Sequence, residues 1–269
     1  MRDFSPTLLS KIIDKAALIL PARLVRSLRW RYFRWARRTA AAGFDVEAQG
    51  YRWRLHPADN VTEKLIWLYR EHPEPQSLAW ALAAVEGRAA LILDIGANCG
   101  AFIVPLAAAG AGSRCLAFEP NPTMVERLKV NLHLNDLATR VEVHPVALGA
   151  ESGEAVLSFS GNLGEATLQS DPERATHQVH VPLRRLSDLL TGTARYETFF
   201  LKIDVEGYEA EVLMPFFATV DRSLWPTHIL IETEHRNDWS ADLGGQLAAL
   251  GYETVDTREG NTFLRYRKA

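Results

Sequence analysis

Residues 91–100 read Leu-Ile-Leu-Asp-Ile-Gly-Ala-Asn-Cys-Gly, and an apolar helical pattern follows them. The apolar run predicts a short buried strand, and two glycines with an asparagine between them predict a tight turn into a helix. Such a turn lets backbone N–H groups and a helix N-terminus come close to a polar ligand. The segment therefore predicts a ligand-binding loop, with candidate binding residues Asp94, Gly96, Asn98 and Gly100.

The segments that follow alternate between strand and helix. Residues 115–118 predict a second strand, which ends at Glu119, and Asn121 and Pro122 are typical of a helix N-cap and first helical position. Residues 141–144 predict a third strand. Strands that alternate with helices run parallel, with right-handed crossovers, in an open doubly wound sheet. We therefore expect an α/β fold.

The second half of the chain is predicted to complete this sheet. Residues 199–204 and 228–232 predict further parallel strands, and residues 252–255 and 261–266 predict a closing hairpin. Residues 154–184 have the pattern of two strands joined by a polar loop, which predicts a small β insertion near these positions.

Two carboxylates are predicted to lie at the carboxyl ends of neighbouring strands, where ligands of open α/β sheets bind. Asp94 and Glu119 are 25 residues apart in sequence and are expected to be close in space. A carboxylate at the end of the second strand can accept hydrogen bonds from both hydroxyls of a ribose. The ligand is therefore expected to carry an adenosine-like nucleoside.

The spacing of the glycines separates two classes of nucleoside cofactor. A nicotinamide enzyme would have Gly-x-Gly-x-x-Gly, with the pyrophosphate at the helix N-terminus. This chain has Gly96-x-x-x-Gly100, and the charge of Asp94 would repel a pyrophosphate. An amino-acid tail and a sulfonium suit Asp94 better, which favours S-adenosylmethionine. Two alternatives stay open, a nicotinamide oxidoreductase and glycines that only turn the chain.

Three motifs, in order, resemble those of a known family. They are residues 93–100, residues 118–122 (Phe-Glu-Pro-Asn-Pro) and residues 202–209 (Lys-Ile-Asp-Val-Glu-Gly-Tyr-Glu). Together they look like the FkbM-type methyltransferases, a branch of the class I, Rossmann-like fold that binds S-adenosylmethionine, over roughly residues 70–267. The resemblance implies a seven-stranded, mostly parallel sheet with an antiparallel last strand. It also implies methyl transfer, usually to a hydroxyl oxygen of a sugar or other metabolite.

The resemblance further implies roles for residues at the matching positions. On the cofactor side, it implies a loop for the methionine end, formed by Asp94, Gly96, Asn98 and Gly100. It implies Glu119 for the ribose, and groups that flank the adenine or close over the cofactor at Asn121, Ala147, Leu148 and Glu74. On the acceptor side, it implies Lys202, Asp204 and Glu206.

Methyl transfer to a hydroxyl needs a base near the acceptor oxygen, worth about 10²–10⁴-fold in rate. Asp204, at the end of the fourth predicted strand, is the first candidate catalytic residue, and His235, beyond the fifth, is the second. The alternative for Asp204 is that it caps the following helix, and for His235 that it is an ordinary surface residue. A divalent metal ion is a further option but is not favoured, with hard ligands at Asp204, Glu206, Glu232, Glu234 and His235.

The N-terminal part of the chain is basic. Residues 1–43 hold ten Lys or Arg and two Asp, whereas the remainder holds twenty and thirty-one. A helical pattern runs from Thr7 to Ala42 with a break at Pro21. Its second part predicts one apolar stripe among the arginines, formed by Val25, Leu28, Tyr32 and Trp35. Two interpretations stay open, an interfacial helix that contacts anionic lipid and a helix that packs its stripe on the domain.

Composition limits the remaining possibilities. We expect a basic helical extension over residues 1–43 and one methyltransferase domain over residues 44–269. The acidic remainder argues against nucleic acid as a partner. No apolar run reaches the roughly 20 residues of a membrane-spanning helix, and Cys99 and Cys115 give no disulfide framework or zinc spacing. We expect a cytoplasmic protein, with peripheral contact at the inner face of the membrane as an option.

These observations together predict an O-methyltransferase that uses S-adenosylmethionine and acts on a saccharide or other small molecule. Two alternatives of another class stay open for this chain. It could bind S-adenosylmethionine without catalysis, or it could serve as a scaffold that the basic extension attaches to a membrane. The sequence does not indicate an oligomeric state.

Overall fold

The structure is a computed structural model, and it describes residues 4–36, 43–159, 163, 168, 177–190 and 196–267. The strands are β1 (Phe44–Ala48), β2 (Tyr51–Leu55), β3 (Ala90–Ile95), β4 (Arg114–Phe118), β5 (Val141–His144), β6 (Ala147–Leu148), β7 (Gly153–Phe159), β8 (His177–Arg184), β9 (Thr198–Ile203), β10 (His228–Glu232), β11 (Tyr252–Arg258) and β12 (Asn261–Tyr266). The helices are α1 (Leu8–Ala16), α2 (Ala22–Ala36), α3 (Val61–Tyr69), α4 (Pro75–Val85), α5 (Ile103–Ala109), α6 (Pro122–Leu134), α7 (Leu186–Leu189), α8 (Glu209–Thr219) and α9 (Leu243–Ala249).

The main sheet has seven strands among the described residues, in the order β11-β12-β10-β9-β3-β4-β5. Strands β10, β9, β3, β4 and β5 are parallel, and β12 is antiparallel to both of its neighbours. The chain proceeds from β3 to β4 and β5 on one side and returns to β9 on the other. The predicted doubly wound α/β sheet with an antiparallel last strand is confirmed, and β3 stands at its switch point.

Helices cover both faces of this sheet and form two apolar cores. Ile92 and Phe200 belong to the core that includes residues of α4, α5 and α6. Leu93 and Leu201 belong to the core that includes residues of α7, α8 and α9. Successive side chains of a strand point to opposite faces, so a strand covered on both faces has a continuous apolar run. This explains why the apolar residues of β3 do not alternate with polar ones.

A second, three-stranded sheet forms where the sequence predicts the β insertion. Strand β8 pairs antiparallel with β7 and parallel with the short β6. The polar loop that the sequence predicts between β7 and β8 lies outside the described residues, apart from Leu163 and Leu168. Because β6 follows directly after β5, this sheet is attached at the carboxyl end of the main sheet.

The predicted apolar stripe of α2 is wrong, because the buried face of the helix contains only two of its four residues. Val25 and Tyr32 are buried, but Leu28 is partly exposed and Trp35 is 75% exposed. The buried face instead continues through Arg29 and Phe33, at helical spacings from Val25. The sequence predicts that Arg29, like the other arginines of α2, lies outside the buried stripe, and its burial differs from this prediction. The predicted continuation of this helix over residues 37–42 lies outside the described residues.

Buried Arg29 ties the two N-terminal helices to α3. Its guanidinium donates to the Leu68 carbonyl at 2.9 Å and pairs with Asp14 at 2.9 Å. Arg70 also pairs with Asp14, at 3.2 Å. The aromatic ring of Tyr32 packs 6.0 Å from that of Trp67, centroid to centroid. Helix α2 therefore docks on the domain through one face. As a separate finding, none of the described helices is long and apolar enough to cross a bilayer.

Candidate active site

Two cavities meet at the carboxyl ends of β3 and β9. The first, of about 660 Å³, is lined by the loop after β3, the end of β4 and residues 146–148. The second, of about 1390 Å³, is lined by parts of α3, the end of β10 and the turn between β11 and β12. Asn98, Asp204 and Glu206 line both cavities. These three residues therefore mark the place where ligands in the two cavities would meet.

The glycine loop approaches the backbone after β9 too closely for any side chain. Gly96 has a φ of +77°, and a Cβ built on it would lie 1.8 Å from the carbonyl oxygen of Asp204. The N–H groups of Gly96 and Ala97 both donate to the Phe118 carbonyl at 3.0 Å. Glycine at position 96 therefore lets the ends of β3, β4 and β9 converge on one point.

Glu119 lies buried at the end of β4. Its two carboxylate oxygens accept backbone hydrogen bonds from Asn98 and Asn121, each at 2.8 Å. Burial raises the pKa of Glu119 to about 7, although these two hydrogen bonds oppose the rise. Each carboxylate oxygen has lone pairs for more than one hydrogen bond. The carboxylate therefore keeps capacity for two ribose hydroxyls.

The sheet register brings Asp94 and Lys202 side by side, since they are partners in the β3–β9 ladder. The Lys202 ammonium donates to the Gly96 carbonyl at 3.0 Å and to Asp204 Oδ2 at 3.3 Å, and it lies 3.7 Å from Asp94 Oδ1. Although burial lowers the pKa of Lys202, the carboxylates of Asp204 and Asp94 raise it above its usual value. Lys202 therefore stays charged and holds the ends of the two strands together.

The first cavity fits S-adenosylmethionine. Burial raises the pKa of Asp94 to about 6. Neither of its carboxylate oxygens has a hydrogen-bond partner among the described residues. The Lys202 ammonium lies 3.7 Å from Oδ1 and balances part of this buried charge, and Asp94 itself lines neither cavity. Met124, Leu148 and Leu157 give the cavity an apolar wall for an adenine.

The second cavity is lined by hydrogen-bond acceptors around one histidine. His235 Nδ1 lies 3.3 Å from Glu232 Oε2 and 3.5 Å from Glu206 Oε2. Partial burial lowers the pKa of His235, but these two carboxylates outweigh it and raise the pKa above its usual value. Among the described residues, no group of three or more His, Cys, Asp or Glu has the geometry to hold a metal ion.

Most of the residues predicted from the sequence line one of the two cavities. Those at the first cavity are Gly96, Asn98, Glu119, Ala147 and Leu148. Those at the second are Glu74 and His235, and those at both are Asn98, Asp204 and Glu206.

Five predicted residues have other positions or contacts. The resemblance implies that Glu74 closes over the cofactor. In the structure it lines the second cavity, where it accepts a hydrogen bond from Asn261 at 2.7 Å. The Asn121 side chain lines neither cavity, because it caps α6 as predicted and donates to the Leu163 carbonyl. Asp94, Lys202 and Gly100 also line neither cavity, and Asp94 is fully buried.

Asp204 does not cap the next helix. Helix α8 begins at Glu209, five residues later, and its N-cap residue is Tyr208. The backbone N–H of Val205 donates to the Glu209 carboxylate at 2.8 Å. The capping alternative is therefore wrong, and the Asp204 side chain is left to line the cavities.

Several residues of the site were missed by sequence reasoning. Tyr208 and Val146 line the first cavity, and Asn60 donates to the Asn98 side chain at 2.9 Å. Tyr208 belongs to the third motif, residues 202–209, so the sequence could have indicated that it lies at the site. Nothing in the sequence near Asn60 indicates this contact, because it joins residues 38 positions apart.

Comparison with known proteins gives similarity to methyltransferases. Methyltransferase 1 of Beauveria bassiana (strain ARSEF 2860) is 30% identical over 141 residues, which are 45% of this chain and 56% of that protein. Methyltransferase sdnD of Sordaria araneosa is 30% identical over 175 residues, which are 53% and 65% of the two chains. The chain thus spans less than two thirds of the length of each relative.

The similarity to solved structures is weaker. A methyltransferase from Geobacter sulfurreducens is 16% identical, covers 72% of this chain and 77% of its own, and has a TM-score of 0.42. The assignment of this chain to a family therefore depends on the match of its sequence to a family model. Residues 94–257 match the family described as the Methyltransferase FkbM domain. This match confirms the predicted family and its cofactor, S-adenosylmethionine. The chain belongs to the FkbM methyltransferase domain family.

Proposed function

We propose that this chain transfers a methyl group from S-adenosylmethionine to a hydroxyl oxygen of a saccharide or other small metabolite, with Asp204 as the base. The position of Asp204 carries this proposal. Its side chain is 33% exposed, lines both cavities and lies 3.3 Å from the Lys202 ammonium. A base that a charged lysine orients, at the junction of cofactor and acceptor cavities, suits in-line transfer to an oxygen.

Each residue of the site would have a separate role in this reaction. S-adenosylmethionine, when bound, supplies an electrophilic methyl group on a cationic sulfur. Glu119 would hold the ribose, and Lys202 would keep the Asp204 carboxylate aligned. Asp94, which lines neither cavity, would act on the cationic end through its charge alone. Asp204 would take the hydroxyl proton as the oxygen–carbon bond forms and the carbon–sulfur bond breaks. Lys202 itself is no base, because its raised pKa keeps it protonated.

The lining of the second cavity favours an acceptor with several hydroxyl groups. Carboxylates accept hydrogen bonds from hydroxyls but repel phosphates and other anions. An uncharged polyol or sugar would therefore bind better than a phosphorylated one. The carboxylates concerned are Glu74, Glu206, Glu232, Glu234 and Glu259.

His235 is the weaker candidate for the base. Its two carboxylate neighbours raise its pKa, so more of it is protonated near neutral pH than of an ordinary histidine. A protonated imidazole donates hydrogen bonds and cannot take a proton. We assign it to positioning the acceptor.

Incubating a cell extract with the protein and isotopically labelled S-adenosylmethionine tests the proposal. Mass spectrometry should detect a labelled O-methyl product that is absent when Asp204→Asn replaces the wild type. Cofactor binding without any labelled product would favour the non-catalytic alternative. Calorimetry with S-adenosylhomocysteine and NAD adds a second readout, and binding of NAD alone would contradict the proposal.

Cofactor affinity should depend on pH through Glu119. Its pKa of about 7 means that the carboxyl is mostly protonated at pH 6 and mostly ionised at pH 8. Ribose hydroxyls donate best to the ionised form, so affinity for S-adenosylhomocysteine should fall about tenfold from pH 8 to pH 6. Calorimetry across this range, in buffers with different ionisation enthalpies, measures the affinity and the released proton. Glu119→Gln should bind more weakly and lose the dependence, and a variant that keeps it would assign the dependence to another group.

A further inference from the structure

The two N-terminal helices and their connection leave an unusual amount of apolar surface exposed. At the connection, Leu18 is 85% and Ile19 is 83% exposed. On α1, Leu8 is 75% and Ile12 is 52% exposed. Leu24, at the start of α2, is 49% exposed. We call these five side chains the apolar edge.

The apolar edge is separate from the surface that docks these helices on the domain. Helix α1 packs inward through Ser10 and Ile13, which are both buried. At about 100° per residue, Leu8 and Ile12 lie on a different side of the helix from these two. The exposed side chains are therefore not left over from incomplete docking. The described part of the domain leaves them exposed.

Basic side chains surround the apolar edge. Lys11, Lys15, Arg23, Arg31 and Arg34 are exposed on the same two helices. The only acidic residue among described residues 4–36, Asp14, is paired with Arg29 and Arg70. On α1, Lys11 and Lys15 follow Leu8 and Ile12 by three positions, so they lie on the same side of the helix. An apolar face flanked by basic side chains is the arrangement of helices that lie in the headgroup region of a bilayer.

We propose that the apolar edge inserts into the interfacial region of a membrane with anionic lipids, and that the surrounding lysines and arginines contact the headgroups. A negatively charged bilayer satisfies both features at once, because it offers apolar depth and anionic charge. A second copy of this surface would satisfy only one, because it would bring like charges together. The sequence predicts the anchors on the α2 stripe, whereas four of the five side chains of the apolar edge lie on α1 and the connection, and only Leu24 lies on α2.

Sedimentation of the full chain with vesicles tests this proposal. The chain should pellet with phosphatidylcholine vesicles that contain about 30% phosphatidylglycerol, and poorly with phosphatidylcholine alone. Binding should weaken as salt rises from about 0.05 to 0.5 M. No binding to the anionic vesicles at low salt would overturn the proposal, as would equal binding to both vesicle types.

Paired substitutions separate insertion from non-specific adhesion. Leu18→Ser with Ile19→Ser should weaken binding at least about tenfold, because two large apolar groups no longer enter the bilayer. Val156→Ser with Val255→Ser is the matched control, since both valines are exposed on strands outside this surface, and it should bind as the wild type does. Equal losses in the two variants would contradict insertion by the apolar edge.

Charge reversal and two independent readouts complete the test. Lys15→Glu with Arg23→Glu should reduce binding to anionic vesicles more than about tenfold. Unchanged thermal melting and unchanged binding of S-adenosylhomocysteine would show that each variant is folded. A dimer in light scattering that the Leu18 and Ile19 substitutions abolish, without vesicle binding by the wild type, would instead assign the surface to self-association.

Discussion

Asp204→Asn should lower turnover by about 10²–10⁴-fold and leave the affinity for S-adenosylhomocysteine nearly unchanged. The amide has the shape of the carboxylate and can still accept a hydrogen bond from Lys202, whose ammonium lies 3.3 Å from Oδ2. It cannot take a proton from an acceptor hydroxyl. The Asp204 carbonyl, which faces Gly96, is untouched by the substitution. Catalysis should therefore be lost without loss of the cofactor cavity.

Steady-state kinetics and calorimetry on the same protein samples measure this separation. Asp136→Asn makes the same chemical change at a surface position whose side chain is 89% exposed, and it should leave turnover unchanged. His235→Asn should raise the KM for the acceptor more than it lowers kcat. If Asp204→Asn kept wild-type turnover, or if His235→Asn had the larger effect on kcat, the assignment of the base would be wrong.

Gly96→Ala should destabilise the fold by about 2–5 kcal/mol and abolish cofactor binding. Part of this cost is conformational, since a φ of +77° disfavours any residue with a Cβ. The larger part is steric, because the new methyl group would lie 1.8 Å from the Asp204 carbonyl oxygen. A backbone atom cannot rotate away as a side chain can. The chain after β9, which carries Asp204, must move to relieve the overlap.

Gly50→Ala is the control for the conformational part. Gly50 has a φ of +81°, and nothing lies within 4 Å of a Cβ built there. This variant should lose only about 1–2 kcal/mol and should bind S-adenosylhomocysteine normally. Chemical denaturation and calorimetry on both variants give the comparison. Equal stability losses would show that the contact between Gly96 and Asp204 does not limit the fold.

The strands inside the sheet could be predicted from the sequence, because the apolar pattern of a strand depends on whether helices cover its two faces. Apolar residues surround Asp94 in β3 because helices cover both faces, and the turn residues after each strand mark where it ends. Once the strands are known to be parallel, Asp94, Glu119 and Asp204 must stand at one edge of the sheet. The hairpin of β11 and β12 was equally readable from its two short runs.

Directions of side chains at that edge were less predictable. The resemblance implies that Asn121 flanks the adenine, and in the structure its side chain caps α6 and contacts Leu163. The resemblance implies that Glu74 closes over the cofactor, and in the structure a hydrogen bond from Asn261, 187 residues away, holds its carboxylate at the second cavity. Such contacts depend on residues that are distant in sequence, and no local pattern encodes them.

The sequence by itself determined the fold class, the family and the carboxylates that stand near the ends of β3, β4 and β9, because strand periodicity and turn chemistry are local properties. The tertiary structure decided which of those carboxylates the two cavities share and why position 96 must be glycine. It also decided which face of the N-terminal helices is exposed. These properties depend on how β3, β9 and α3 approach other elements, and that approach is fixed by packing across the whole chain.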